Sequence, residues 1–362
     1  MAVGRHSGGV ICADLGGVLR RLLTLACAGV FLCVTYGAPS QAARVLRFED
    51  LRGWDKDDHT AALEVFRTTC TKLDAATWAR LCEMAQGDIP AKAFFEMFFR
   101  PVVYEGSEEV LFTGYFEPVL RGSRVQTGPF RVPVYSRPKS LKMGSDRATR
   151  RAIVVDRVLS GQGLEIAYVD NAVDLFFAQI QGSATVQLTN GQRIRIGFGG
   201  HNGHAYRSMG QWLINRGYIE PHQASARFLR NWAKKNPRVA RQAMLASDGY
   251  VFFEEIRVDR DEGPRGALLE NLTTKRSIAV DPKEYPLGGV FWVEKRGKAP
   301  MEQLFVAQDV GSRIKTRGRV DIFYGTGEAA GKEAGQTRDT GRLYTLLPID
   351  LAYTVMREAQ VK

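Results

Sequence analysis

Three aspartates carry the clearest chemical signal in the sequence. Asp281 follows Ser277-Ile278-Ala279-Val280, Asp309 follows Leu304-Phe305-Val306-Ala307-Gln308, and Asp321 follows Arg317-Gly318-Arg319-Val320. Each lies at or beside an apolar run of strand length, with glycine close by. One aspartate in such a place is most often a turn or cap residue. Three in one compact module could converge at a barrel mouth. Like charges brought together raise at least one pKa, which leaves a carboxyl group able to donate a proton near neutral pH. Two carboxylates serve a glycosidase that activates water, or an acid protease. Asp339-Thr340-Gly341 spells the protease triplet, but it lies between Arg338 and Arg342 rather than after a buried strand, and no second lobe repeats it.

Other motifs fail on spacing. Gly331-Lys332 resembles the end of a phosphate loop, but Thr326 stands where the first glycine belongs and Glu333 where Ser or Thr would bind magnesium. That stretch reads instead as an ordered loop after a strand. His201 and His204 lack a third ligand, so a loop hydrogen-bonding role outweighs a metal site. No Gly-x-Ser-x-Gly elbow occurs. No metal or organic cofactor is implied.

The elements that must position these residues change character along the chain. Residues 57–100 read as helices, with Asp58 and Asp74 as caps and a phenylalanine cluster at 94–99 for a core. From Val102 to about Phe198 the pattern is strand-like, including Val110–Phe116, Ala152–Val155 and Ala184–Leu188. Thr189-Asn190-Gly191 predicts a hairpin turn, because Asn-Gly accepts positive φ. Helices return at about 206–216 and 221–246. Five further strands follow, near 278–281, 290–293, 304–307, 320–323 and 343–347. Two β regions separated by helix fit one domain inserted into another.

The chain has 362 residues, 44% hydrophobic and 25% charged, which is globular composition. Its formal charge of +11 suits an anionic partner, but the cations are not interleaved with aromatics along one element as nucleic-acid binding requires. Residues 1–42 read as a secretory signal: Arg20-Arg21, an apolar run from Leu22 to Ala38, and small residues before a cut after Ala42. The alternative is an uncleaved membrane anchor, for which the run is short. Cys27 makes a poor lipid-attachment site. Export leaves Cys70 and Cys82 as the only cysteines, either as a disulfide or as two buried thiols.

Several long motifs, in order, resemble the membrane-bound lytic murein transglycosylase A family. They are Leu111-Phe112-Thr113-Gly114-Tyr115-Phe116-Glu117-Pro118-Val119, Pro133–Pro138, Phe176–Ser183, Asn202–Ser208 and Tyr250–Phe253. The three aspartates look like its C-terminal three-aspartate domain. The resemblance spans about residues 100–350. It implies a mainly β fold with helical segments: a double-psi β-barrel domain interrupted by a smaller inserted β-barrel domain, with a glycan groove between them. The expected divisions are 1–42 signal, 43–110 helical part of the first domain, 111–245 insert, and 246–362 the remainder of the first domain.

The activity implied is that of a peptidoglycan lytic exotransglycosylase, which cleaves the β-1,4 bond between N-acetylmuramic acid and N-acetylglucosamine and leaves a 1,6-anhydro end. The family's catalytic aspartate corresponds to Asp321, with Asp309 holding and tuning it and Asp281 as the first member of the three. Groove roles fall to Tyr115 stacking on a sugar, to Thr113, Gln181 and Ser183 as hydrogen-bonding groups, and to Tyr206. The partners implied are peptidoglycan strands and a wall-synthesis or division complex, in the periplasm and attached there to the outer membrane or free. A glycan-binding protein without turnover and a water-using hydrolase are the competing readings.

Overall fold

The structure is a computed structural model that describes residues 43–104, 109–139, 148–256, 263–311 and 313–360, all within one compact unit. The export signal expected over 1–42 lies outside the described residues.

The chain opens with strand β1 (Ala43–Val45) and three helices, α1 (His59–Thr69), α2 (Ala75–Ala85) and α3 (Ala91–Phe98). The side chains of Asp58 and Asp74 accept hydrogen bonds from Ala61 N and Thr77 N, as cap residues should. Cys70 and Cys82 form a disulfide that ties the end of α1 to α2, with their Cα atoms 5.5 Å apart. Phe66, Phe94, Phe95 and Phe99 are fully buried against Trp54, Trp78 and Trp292. A buried phenylalanine contributes roughly 1.5–3 kcal/mol, so this cluster fastens the helices to the sheet behind them.

Strands β2 (Phe99–Tyr104) and β3 (Val110–Glu117) lead into the first sheet. The second sheet follows: β4 (Val119–Ser123), β5 (Val132–Tyr135), helix α4 (Arg150–Val154), β6 (Glu165–Val169), helix α5 (Ala172–Gln181), β7 (Ala184–Leu188) and β8 (Arg193–His201). Helices α6 (Met209–Ile214), α7 (Ala226–Lys235) and α8 (Pro237–Leu245) then precede β9 (Val251–Ile256). The six strands run in the order β5-β6-β4-β7-β8-β9. A bridge between Ser136 and Phe253 brings its two edges together, so the sheet is barrel-like. The hairpin expected at Asn190-Gly191 joins β7 to β8, with Gly191 at φ +82°.

The chain returns to the first sheet with β10 (Ser277–Val280), β11 (Val290–Lys295), β12 (Met301–Val310) and β13 (Arg319–Thr326). Helix α9 (Glu328–Gln336), β14 (Arg338–Pro348) and helix α10 (Ile349–Gln360) complete it. The order is β1-β2-β14-β11-β12-β10-β13-β3, and β3 also pairs with β14. That last pairing closes six strands into a barrel. Val110, Phe112, Ile278, Val280, Phe291, Phe305, Val320 and Ile322 fill its interior. Pairs β3–β13 and β10–β12 are parallel, and the others around the ring are antiparallel.

Three local expectations give way to tertiary context. Ala152–Val154 is helical, not extended, with Val155 as the C-cap, because Thr149 caps the start and Arg150 is drawn inward to the carbonyls of Ser247 and Gly249. Residues 172–181 form a helix within the strand-like stretch, capped by Asn171. The expected loop around Gly331 is α9, which lies on β3 because Gly114 has no side chain: a Cβ there would stand 2.7 Å from Ala334 Cα. In the sheets themselves, strand 110–117 belongs to the first and strand 251–256 to the second.

Candidate active site

Strand register sets up the site. Ala279 on β10 is paired with Asp321 on β13 and with Asp309 on β12. Asp321 is in turn paired with Thr113 on β3, and Thr113 with Arg338 on β14. Paired residues point to the same face, so Asp309, Ala279, Asp321 and Thr113 form a row on the outer face of the barrel. Asp309 reaches this face through an irregularity. Phe305 and Ala307 point inward, and strict alternation would send Asp309 with them. The register shifts between the Ile278–Ala307 and Ala279–Asp309 pairs, with Gln308 as the extra residue. That bulge turns Asp309 outward. Gln308 itself is buried and bonded to the Ser277 hydroxyl.

Asp321 is held at one oxygen. The Thr113 hydroxyl donates to Oδ1, and Arg319 Nη2 lies 3.4 Å from the same atom and 3.2 Å from Thr113 Oγ1. Among the described residues Oδ2 has no hydrogen-bond partner, and the side chain is 20% exposed. Burial raises the Asp321 pKa, and the Arg319 guanidinium opposes the rise.

The Oδ1 of Asp309 accepts bonds from Val310 N at 2.9 Å and Ala267 N at 3.1 Å. Burial nevertheless pushes its pKa up to about 6, and the Asp321 charge adds to the rise while the two amides and the nearby Tyr115 hydroxyl oppose it. Both carboxyls therefore hold protons to higher pH than free aspartate does. Tyr115 is half-buried, and by strand alternation it shares the outer face with Thr113. Its ring packs on Phe323 at 5.3 Å, and its buried hydroxyl, close to both carboxylates, has no bond of good geometry among the described residues.

The remaining candidates spread away from this row. Asp281 is 3% exposed, and its Oδ1 accepts from Lys283 N while its carbonyl accepts from Glu284 N and Tyr285 N. It shapes the turn after β10. Gln181, at the end of α5, accepts a bond from Phe116 N at 3.2 Å and so joins the second sheet's helix to β3. Ser183 is half-buried just before β7. Tyr206 is 39% exposed beside Phe176, and Arg313, on the loop after β12, is near enough for its charge to act on the phenol. His201 Nδ1 accepts from Gly203 N at 2.8 Å, a loop bond. Asp339 of the protease-like triplet is paired with buried Lys295 at 2.9 Å.

Two positioning features escape sequence reasoning. Arg319 lies two residues before Asp321 but carries no motif of its own. Glu117 is fully buried and forms a 2.9 Å ion pair with Arg195 on β8, with Thr326 Oγ1 donating to its other oxygen at 2.7 Å. This pair clamps the point where the chain crosses from the first sheet to the second. Only the Glu-Pro at 117–118 marked the place.

Residues 111–254 match the MltA specific insert domain, and residues 276–347 match the 3D domain. The solved lytic transglycosylase LtgG of Burkholderia pseudomallei is 36% identical, with 85% of this chain and 96% of that chain covered and a TM-score of 0.61. A membrane-bound lytic murein transglycosylase of Agrobacterium tumefaciens is 27% identical and superposes with a TM-score of 0.78, covering 87% of this chain and 99% of its own. The membrane-bound lytic murein transglycosylase A of Vibrio cholerae is 30% identical over 247 residues. That match takes in 66% of this chain and 65% of the relative, just under two thirds of its length. On the family models and the B. pseudomallei relative together, the chain belongs to the membrane-bound lytic murein transglycosylase A family.

Proposed function

We propose that the protein cleaves the β-1,4 bond between N-acetylmuramic acid and N-acetylglucosamine in peptidoglycan and closes the product to a 1,6-anhydro end. The observation that carries this reading is the asymmetry of Asp321: one oxygen held by Thr113 and Arg319, the other open, on a carboxyl whose pKa burial raises. A group of that kind can give the proton from Oδ2 to the glycosidic oxygen as the C1–O bond breaks. The same oxygen, now anionic, takes the proton from the sugar's C6 hydroxyl as O6 bonds to C1. No water is consumed and Asp321 ends protonated, as it began. One carboxyl is enough because the nucleophile belongs to the substrate.

Asp309 and Tyr115 support this reaction from beside the reacting group. A protonated Asp309 spares Asp321 a second negative charge, and the Tyr115 hydroxyl has a bond left to give. Gln181 joins the second sheet's helix to β3, and on this reading it would contact a glycan strand there together with Ser183 and Tyr206. Asp281 serves by holding the turn after β10. The reading places the enzyme in the periplasm, with the wall polymer as its partner and with wall-synthesis or division proteins as candidate associates there.

The test is mass spectrometry of muropeptides released from purified peptidoglycan by residues 43–362 and by Asp321→Asn. Products lighter by one water than lysozyme products, and absent with the variant, support the reading. Hydrated products, or no release by the unsubstituted protein, would overturn it. Anhydro products surviving in the variant would move the proton transfer to Asp309.

A further inference from the structure

The charge of this protein is not evenly spread. Between Tyr206 and Ala246 the sequence holds eight Lys and Arg against the single Glu220, a surplus of seven out of a total of eleven. These residues build α6, α7 and α8, which pack through Met209, Leu213, Leu229, Ala233 and Ala240 onto Phe176 and Phe177 of α5. Arg230 is consumed by a 2.8 Å ion pair with Asp174. Arg216, Arg227, Lys234, Lys235, Arg238 and Arg241 are exposed, and none of them has a carboxylate partner among the described residues. Arg227 and Lys234 lie seven apart on α7, so they share a face, and Arg238 and Arg241 are neighbours on α8. None of these cations touches the aspartate row.

The aromatics of the same helices decide what kind of anion fits. Trp212 is stacked by Tyr218 at 6.2 Å with planes 6° apart, and the Arg216 guanidinium lies 4.0 Å over the indole. Tyr218 in turn meets Trp232 at 6.1 Å. Trp212 is thus already engaged by its own neighbours and is poorly placed to stack on a sugar. What the rings offer is half-exposed edges at the boundary between core and solvent, where Trp and Tyr also sit at a membrane interface. Unpaired cations on long, flexible stems suit a diffuse layer of phosphates better than one discrete ligand.

We propose that the α6–α8 surface docks the protein on anionic lipid headgroups. The contact is electrostatic and reversible, so it weakens as salt shortens the Debye length. The test uses the protein from Ala43 onward, whose described residues form one compact unit. It measures co-sedimentation with phosphatidylglycerol-containing vesicles, with phosphatidylcholine vesicles and with insoluble peptidoglycan. The combined variant Lys234→Gln, Lys235→Gln, Arg238→Gln and Arg241→Gln is compared with an equal charge change elsewhere, at the exposed Arg44, Lys56, Lys298 and Lys332.

The proposal expects binding to the anionic vesicles alone among the lipids. It expects about a 100-fold loss in the helical variant, and little loss in the control beyond the change in net charge. Thermal midpoints of both variants within about 3 °C of the parent show that the fold is kept. Equal losses in the two variants, unchanged binding in the helical variant, or no binding to anionic vesicles would overturn it. So would a variant effect seen only on peptidoglycan, which would assign the surface to the wall polymer's carboxylates.

Discussion

Asp309 and Asp321 stand in register on opposite sides of Ala279, on the two strands that flank β10. Two strand spacings separate their backbones by roughly 10 Å, with the buried Ala279 between them. The bulge at Gln308 makes this possible, because without it Asp309 would point into the barrel core. A pair so placed couples electrostatically, and the coupling adds to the burial that raises Asp309.

Arg319 sets the upper pH limit of activity if Asp321 must be protonated to start the reaction. Its guanidinium lowers the Asp321 pKa, so Arg319→Gln lets that pKa rise further. The alkaline limb of the activity profile then moves to higher pH, whereas Arg319→Lys leaves it nearly in place. A pH–rate profile of kcat with soluble glycan fragments reads this directly.

Thr113→Val removes the hydroxyl that orients Asp321 while keeping the shape of the side chain. A hydrogen bond to a charged group is worth about 1.5–3 kcal/mol, so kcat should fall by about tenfold or more with KM little changed. Thr113→Ser restores most of the loss. Equal kcat in Val and Ser variants would remove Thr113 from the mechanism.

Asp309 also leaves a mark on stability. Its folded pKa of about 6 exceeds the ordinary 3.8, so the folded state binds the extra proton between these values. Stability from this group is therefore highest below about pH 4 and is lost as pH rises through 6. Asp309→Asn removes the loss, so its thermal midpoint should gain on the parent between pH 4 and pH 7. A constant difference across that range would contradict the raised pKa.

Glu117→Gln leaves the largely buried Arg195 without its counter-charge. Breaking a buried pair by removing one partner costs about 3–5 kcal/mol, and chemical denaturation should show a loss of this order. Replacing both residues together should cost less than the two single changes added.

Reduction of Cys70–Cys82 releases a loop with a sequence separation of 12. Loop-closure entropy for that length is about 3 kcal/mol. The Cys70→Ser, Cys82→Ser protein should unfold at correspondingly lower denaturant, with the aspartate row unaffected because both cysteines lie in the helical layer.

Local chemistry made part of this molecule legible from its residues alone. The Asn-Gly hairpin, the aspartate caps of α1 and α2 and the strands that carry Asp309 and Asp321 all follow from short-range rules that act within one or two turns of chain. The long motifs around Thr113 and Gln181 were enough to show the family resemblance. What those rules could not supply is which elements become neighbours. Thr113 and Asp321 are 208 residues apart in sequence and hydrogen-bonded in space. Ile153 and Val154 favour a strand by propensity, yet Arg150, buried beneath Phe176 and Tyr250, makes their segment a helix. The outward turn of Asp309 depends on one inserted residue in a ladder, and its pKa depends on what covers it. Alternation along a strand assigns faces; only the closed barrel, through register and burial, decided which side chains share one.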